Sequence, residues 1–331
     1  MTVRYQLLQP SQSDLLREGI KRVYGSTYPI PEFYDTDYLQ RAISKGMLHC
    51  VVVLNENEQV VACMSTVLEV EGDVTADGSA LMVAPEYRGQ GIVAQLGHEM
   101  VETYQRLNLG GLHLYALGLH DLVQKQAGSA GAVVTGILPA WFSKEAKVSG
   151  YDYPDVRIGA VTLFMPLGVL PERSVYIPER YVAVLTDIYS RLALPRHVLP
   201  CSQSEVLPPA TDSRLEVKPS NGQYRVLLES VGADLATVIT TAISSAAQEG
   251  LEVSYVDIPL NDPRVDFAVE QVRSQGFFFG ALMVDRRGCD RLRMQRFEAG
   301  VAAPEQIVIG SVEAADLLAF VLNDRESVSG V

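Results

Sequence analysis

Leu81-Met82-Val83-Ala84-Pro85-Glu86-Tyr87-Arg88-Gly89-Gln90-Gly91-Ile92-Val93 is the stretch on which the reading of this chain turns. It opens as a short strand, stops at a proline, and passes through two glycines into a long run where Ile92, Val93, Leu96, Met100, Tyr104 and Leu107 recur at helical spacing. A helix start exposes amide N–H groups without chain partners, together with the positive end of the peptide dipoles. A strand running into a glycine-rich turn and then a helix therefore makes a cradle for an anion such as a diphosphate. Gly89 and Gly91 let the backbone come close to phosphate oxygens, and Arg88 adds a charge-assisted donor. A dinucleotide-binding fold places this turn after its first strand; here three β-rich runs come earlier, which argues against that fold.

Those earlier runs are Val3–Leu8, Leu48–Leu54 and Val60–Val70, the last two joined by Asn55-Glu56-Asn57-Glu58, a polar tetrad suited to a hairpin turn. Ser11-Gln12-Ser13-Asp14 offers N-caps for a helix reaching about Tyr24, and a second helix is expected near Tyr38–Ser44. After the long helix, ended by Gly110-Gly111, come a strand at Leu112–Leu117, a short helix from His120 to about Ala130, and strands at Val133–Leu138 and Arg157–Leu167. Prolines then punctuate the chain to about Gly222, and only Arg180–Leu192 reads as helical there; this is expected to be a connecting segment on the surface. Strands at Tyr224–Glu229, Leu251–Ile258, Phe277–Val284 and Arg291–Phe297 follow, with helices at Ala233–Gln248, Pro263–Ser274 and Ser311–Leu322. The fold class is α/β with a mixed sheet.

The order strand, long helix, strand, short helix, strand, strand thus occurs twice. Gly131-Ala132-Val133-Val134-Thr135-Gly136-Ile137-Leu138 aligns without gaps on Gly276-Phe277-Phe278-Phe279-Gly280-Ala281-Leu282-Met283, and Leu112–Leu117 is set against Leu251–Val256. Three segments are expected: a lobe over 1–165, a proline-rich connector over 166–221, and a second lobe over 222–331. The second copy has Glu229-Ser230-Val231-Gly232-Ala233-Asp234 where the first has its glycine turn, so only the first is equipped to hold a diphosphate.

With 47% hydrophobic and 20% charged residues the chain should bury a substantial core. Its apolar runs are far shorter than the roughly 20 residues of a membrane span. The first residues alternate like a strand and show no secretory signal, so a cytoplasmic location is expected. A formal net charge of −13 argues against a nucleic-acid partner. Cys50, Cys63, Cys201 and Cys289 form no metal-ligand spacing, so no metal is expected and reduced thiols are. The apolar strand Phe277–Phe279 offers a lobe or subunit interface, and with it a homodimer.

The stretch from Leu81 to Val93 resembles the signature of the GCN5-related N-acetyltransferase (GNAT) superfamily, Arg/Gln-x-x-Gly-x-Gly/Ala after the fourth strand. Arg88, Gly91 and Val93 fall on its three marked positions, with valine replacing the small third residue. The likeness spans residues 3–165 in element order and the second lobe more faintly; the whole is similar to a two-lobed, tandem type with a degenerate C-terminal lobe. It implies an acyl-CoA-dependent N-acyltransferase, with acetyl-CoA or another acyl-CoA held by Arg88, Gly89, Gln90, Gly91, Ile92 and Val93. The backbone of Leu81, Met82 and Val83 would bond to the pantetheine arm where the fourth and fifth strands splay apart.

The implied chemistry is direct attack of a small-molecule amine on the thioester, which needs a neutral nucleophile and a proton source for the departing thiolate. Many relatives place a tyrosine for this on the helix after the fifth strand; this chain has none there. His120 and Gln124, four residues apart at the start of that helix, share a side: His120 relays a proton or caps the helix, and Gln124 orients substrate or thiolate. Glu69, with Glu71 beside it, takes the amine proton through water or is a solvated hairpin carboxylate. Tyr28, Tyr34 and Trp141 line an acceptor pocket or serve packing. Two other readings stay open: a noncatalytic acyl-CoA sensor, and a member of this fold acting on carrier-protein or CoA thioesters.

Overall fold

A computed structural model describes residues 2–28, 30–145, 154–201, 206–218 and 221–328. The chain divides into two compact units. The first runs to Leu114 and takes in Pro166–Val169; the second takes up Tyr115–Lys144, Pro154–Met165 and the chain from Leu170 onward.

The first unit is built from β1 (Arg4–Leu7), α1 (Ser13–Tyr24), α2 (Thr36–Ser44), β2 (Leu48–Leu54), β3 (Val60–Leu68), β4 (Thr75–Val83), α3 (Ile92–Arg106) and the start of β5 (Gly111–Leu117). Strands β1 to β4 are antiparallel neighbours in sequence order. One face carries α1 and α2: Leu16, Ile20, Phe33 and Leu39 pack on Cys50, Val52, Leu54, Cys63, Ala80 and Met82, with Val67 at their edge. Thr66, the neighbour of Val67, points to the opposite face, as strand alternation requires, and donates to the hydroxyl of Tyr104 on α3 at 2.6 Å. Ile92, Leu96, Met100 and Tyr104 are the buried stripe of α3, while Leu107 turns out to be exposed.

Two local expectations need correction. No residue of the Ser11–Asp14 run caps α1 through its side chain; the N-cap is Gln12, which instead accepts from the Gln9 amide at 3.0 Å. It is Asp35 that caps its helix, accepting from Asp37 and Tyr38 at the head of α2. Helix α3 ends at Arg106 through a left-handed Asn108 (φ 56°), and Gly111 opens the next strand, with the Gly110 amide before it donating to Val74 O at 2.7 Å.

The second unit holds the end of β5, α4 (Leu122–Ser129), β6 (Val133–Phe142), β7 (Ile158–Pro166), β8 (Arg173–Tyr176), α5 (Val182–Leu192), β9 (Arg196–Leu199), β10 (Asp212–Lys218), β11 (Gln223–Ser230), α6 (Leu235–Gln248), β12 (Val253–Pro259), α7 (Val265–Arg273), β13 (Phe278–Arg286), β14 (Cys289–Phe297) and α8 (Val312–Val328). Its sheet runs β7-β6-β13-β14-β12-β11-β10; β11–β12 is parallel and the other pairs are antiparallel. The proline-punctuated segment is more structured than expected. It supplies the edge strand β10, the small parallel pair β8–β9, and α5, which buries Leu185 and Ile188. Pro171, Pro178, Pro195, Pro200, Pro208 and Pro209 all fall between these elements, where a missing N–H costs nothing. The Phe277–Phe279 stretch is inside the unit's core, each residue at most 1% exposed, with Phe279 against Tyr181 and Phe320; it offers no surface to a second subunit.

Candidate functional site

The β4–α3 connection is anchored at both ends and open in the middle. Ala84 N–H donates to Val61 O at 2.8 Å, and Pro85–Tyr87 form one turn of 3-10 helix closed by Tyr87 N–H on Ala84 O. The Tyr87 side chain is buried and its hydroxyl accepts from Asn55 Nδ2 at 3.3 Å, tying the connection to the β2–β3 turn. Asn55 is itself fixed, because its Oδ1 accepts from the amides of Asn57 and Gln59. Sequence reading assigned Asn55 to the hairpin but had no signal for this second role, since nothing local pairs residues 55 and 87.

Beyond Tyr87 the backbone alternates in hand. Gly89 and Gly91 take φ of 74° and 75°, and a Cβ on either would meet nothing within 4 Å. Glycine is therefore required there by the backbone conformation and not by crowding. Among the described residues, the amides of Gly89, Gly91, Ile92, Val93 and Ala94 find no acceptor in the protein; the helix ladder starts with Gln95 N–H on Gly91 O. Successive unbonded amides at the head of a fifteen-residue helix are an anion nest. Arg88 is exposed beside it, its Nε donating to Val83 O at 3.2 Å, and Gln90 folds back onto Glu86 O.

Strand β4 is irregular on its approach to the nest. It pairs with β5 in parallel only at Thr75↔Gly111, Ala76↔Leu112 and Asp77↔His113. On its other side the register with β3 jumps from Thr66↔Gly78 to Met64↔Leu81, so that Ser79 and Ala80 face the single residue Ser65, whose Oγ accepts the Ala80 amide at 2.9 Å. A bulge of this kind bends a strand and re-aims its backbone. Leu81, Met82 and Val83 follow the bulge and lead into the nest. Neither the bulge nor the role of Ser65 was visible in the sequence, where Ser65 is one polar residue in an otherwise regular strand.

In the second unit the turn between β11 and α6 is filled by the chain itself. Gly232 N–H donates to Thr211 Oγ1 at 3.0 Å, Ala233 N–H to Pro208 O at 2.8 Å, and Asp234 accepts from the Thr211 amide. A Cβ at Gly232 would sit 2.3 Å from the Ala210 backbone. Strands β11 and β12 also stay paired from Gln223↔Val253 to Leu227↔Asp257.

The expected catalytic residues fall in both units. Glu69 follows the far end of β3, next to the Leu68↔Ala76 rung, which is roughly 20 Å along the strands from the Ala62↔Val83 rung beside the nest. It belongs to the first unit with exposed Glu71, whereas His120 and Gln124 belong to the second. Gln124 is buried, and its amide is taken by main chain: Nε2 donates to Val308 O at 2.8 Å and Oε1 accepts from Gly310 N at 2.8 Å. That arrangement pins residues 308–310 to α4, and the second Nε2 hydrogen is directed at His120 O at 3.4 Å. Tyr28 and Tyr34 pack with Phe33 against the α1–α2 core, the Tyr28 amide donating to the Tyr34 hydroxyl, and burial raises the Tyr28 hydroxyl well above its ordinary pKa. Trp141 is in the other unit, stacked on Tyr115. Among the described residues no group of side chains could hold a metal ion, and no helix is long and apolar enough to cross a membrane.

No curated protein matches the chain. Solved structures similar to it include the ribosomal-protein-S18-alanine N-acetyltransferase of Escherichia coli (13% identity, TM-score 0.39), which covers 52% of this chain and 97% of its own. They also include the ribosomal-protein-S5-alanine acetyltransferase of Vibrio fischeri (11%, TM-score 0.40, covering 50% and 94%) and the spermidine N-acetyltransferase of Vibrio cholerae (13%, TM-score 0.38, covering 50% and 94%). Residues 14–122, which contain β4, the nest and α3, match the model of the Acetyltransferase (GNAT) family.

Proposed function

We propose that this chain is an acyl-CoA-dependent N-acyltransferase that moves an acetyl group from acetyl-CoA to a small-molecule amine by direct attack. The observation that carries the reading is the set of unbonded amides at Gly89 and from Gly91 to Ala94, held in alternating hand by two left-handed glycines at the head of α3. A diphosphate is the ligand such a nest fits: it accepts several N–H bonds at once and sits at the positive end of the helix. Arg88 stands beside the nest as a charged donor, and the backbone of Leu81 to Val83, past the bulge, would take the pantetheine amides. The donor supplies the activated acyl group; the chain's part is to fix it and to manage protons. His120 is retained as the proton relay, and Glu69 as a carboxylate acting through water. Gln124 is a positioning residue for the 308–310 segment.

The second part of the proposal is that residues 1–165 and 222–331 are two copies of one lobe, joined by 166–221, with the later copy no longer able to hold the donor. Gly118 N–H donates to Gly159 O at 2.8 Å beside β7, and Leu260 N–H donates to Asp290 O at 2.8 Å beside β14, at matching places in the two strand sets. This supports the duplication and moves its alignment: Gly111–Leu117 corresponds to Val253–Pro259, three residues later than a match of Leu112–Leu117 with Leu251–Val256. The filled β11–α6 turn accounts for the loss of binding.

The absence of a tyrosine from Leu122–Ser129, together with the occupied Gln124 amide, favours a second reading, a sensor that binds acyl-CoA without turnover. Calorimetry with acetyl-CoA on the wild type and on Arg88→Ala/Gly91→Glu, with thiol release followed against a panel of amines, separates them. Binding lost in the variant with turnover in the wild type supports the enzyme; binding without turnover supports the sensor; no binding removes the donor assignment from both.

A further inference from the structure

Tyr255 on β12 stands opposite Gln295 on β14, and Asp257 stands opposite Arg293, so these four side chains share one face of the second unit's sheet. Gln295 is completely buried. Both hydrogens of its Nε2 are taken, by Ile137 O at 3.0 Å and Phe279 O at 2.9 Å, which fixes the orientation of the amide, since a flipped oxygen would face two carbonyls. Its Oε1 is then an acceptor with no donor, and the hydroxyl of Tyr255, 1% exposed, is equally without a partner. Two such atoms in one buried neighbourhood are costly in the folded chain, and groups of that kind persist where a ligand completes them.

What surrounds them restricts the ligand. Trp141 is stacked on Tyr115 with ring centroids 4.5 Å apart and meets Tyr255 edge-on at 5.4 Å. Both Tyr115 and Trp141 are half-buried, giving the cluster an edge toward solvent. Arg293 holds Asp257 with two bonds of 2.7 Å while its guanidinium lies 5.6 Å from the rings of Trp141 and Tyr255; Arg286, also buried, donates to the Tyr115 hydroxyl at 3.3 Å. A simple ammonium ligand is disfavoured, because a guanidinium already occupies the ring faces a cation would need. A fully ionised sulfate is disfavoured too, because it offers Gln295 Oε1 no hydrogen.

We propose that this cluster binds a small carboxylate carrying an O–H or N–H donor on the adjacent carbon, that is, an amino acid or a hydroxy acid. The donor satisfies Gln295 Oε1, and the carboxylate takes the Tyr255 O–H in the field of Arg286 and Arg293, next to the cluster that Trp141 shares with Tyr255. The site is independent of the acyl-donor nest and needs no acyl-CoA.

Trp141 is the only tryptophan in the chain, so its fluorescence reports on this place alone. The experiment titrates the full chain, without acetyl-CoA, with a panel of amino acids and 2-hydroxy acids, the matching carboxylates and amines that lack one of the two groups, and sodium sulfate. The expected result is a saturable change with an amino or hydroxy acid, absent with the truncated congeners and with sulfate, and about tenfold weaker in Tyr255→Phe. Tyr255→Phe should also melt higher than the wild type without ligand, since it removes a buried hydroxyl that has no partner, and this shows that the variant folds. No saturable response across the panel overturns the proposal, as does equal affinity in the variant. A lower melting temperature of Tyr255→Phe overturns it as well, because the hydroxyl would then be satisfied already by ordered water.

Discussion

Gly136 on β6 lies directly opposite Ala281 on β13, and these are the residues made equivalent by the gapless alignment of Gly131–Leu138 on Gly276–Met283. Under the proposed duplication, such an antiparallel pair is what a local two-fold relation between two copies of a strand would produce. The approach is also close: a Cβ on Gly136 would sit 2.3 Å from Ala281 Cβ and 2.4 Å from the carbonyl oxygen of Gly280. Gly136→Ala should therefore destabilise the second unit by about 1–3 kcal/mol, the range for overpacking. Ala281→Gly in the same chain should recover part of the loss but not all, because the Gly280 carbonyl remains. Denaturant midpoints of the four proteins in that cycle measure it; an unperturbed Gly136→Ala would mean that the two strands separate easily.

The nest should be sensitive to backbone hand at a place with ample room. Gly91→Ala meets no neighbour but forces a side chain into φ 75°, which costs about 1 kcal/mol. The same substitution at Gly89 should act alike. Tyr87→Phe removes the bond from Asn55 and leaves the packing, so acetyl-CoA affinity should fall a few-fold with little change in melting temperature. Calorimetry against thermal melts separates the two effects; affinity unchanged in both Gly91→Ala and Tyr87→Phe would mean that the loop does not grip the donor.

Gln124→Ala should reveal a structural side chain. It leaves Val308 O and Gly310 N–H without their partner, a loss of about 1–3 kcal/mol. Residual activity, corrected for folded fraction, should keep its pH profile and its KM for the amine. A normal melt with a large fall in kcat would restore Gln124 to the chemistry.

The contrast between nest and catalytic residues shows what a sequence of this kind discloses. The nest was legible because strand, glycines and helix are contiguous, and each residue type answers a local requirement: left-handed backbone at Gly89 and Gly91, unbonded amides at Ile92 and Val93. The elements were legible for the same reason, apart from β10 and the β8–β9 pair, which proline spacing disguised. Long-range facts were not. Nothing near Gln124 announces that residues 308–310 will take its amide, and nothing in Cys289–Phe297 reads differently from an ordinary strand. Yet Arg291 and Arg293 are at most 2% exposed there, paired with Glu229 and Asp257. The Ser65 bulge escaped because register is a property of two strands together.

The fastening of α8 should be among the most sensitive points of the second unit. Asp324 accepts from Arg273, from the Tyr181 hydroxyl at 2.8 Å and from the Phe279 amide at 2.8 Å, joining α8 to α7, to the N-cap of α5 and to β13 at a site 7% exposed on both sides of the ion pair. Asp324→Asn leaves the Arg273 guanidinium buried without its counter-charge, and breaking a buried pair from one side costs about 3–5 kcal/mol. Hydrogen exchange should show protection lost first in Val312–Val328. Exchange spread evenly over the unit would mean that the helix is held by its apolar contacts alone.

Alkaline pH should unfold this chain in a way that its buried tyrosines set. Burial pushes the hydroxyls of Tyr104, Tyr181, Tyr189 and Tyr255 above their ordinary pKa. In the unfolded chain each releases its proton near pH 10, while in the folded chain it holds it, so the folded state binds more protons and stability falls as pH rises. The contribution is level through neutral pH and drops above about pH 10 by about 1.4 kcal/mol per pH unit for each such tyrosine. Tyr255→Phe removes one of these groups without breaking a hydrogen bond, so its stability should fall less steeply than that of the wild type by that same amount. Urea denaturation at a series of pH values between about 9 and 11 gives both slopes; parallel slopes would mean that Tyr255 ionises in the folded chain as readily as in the unfolded one.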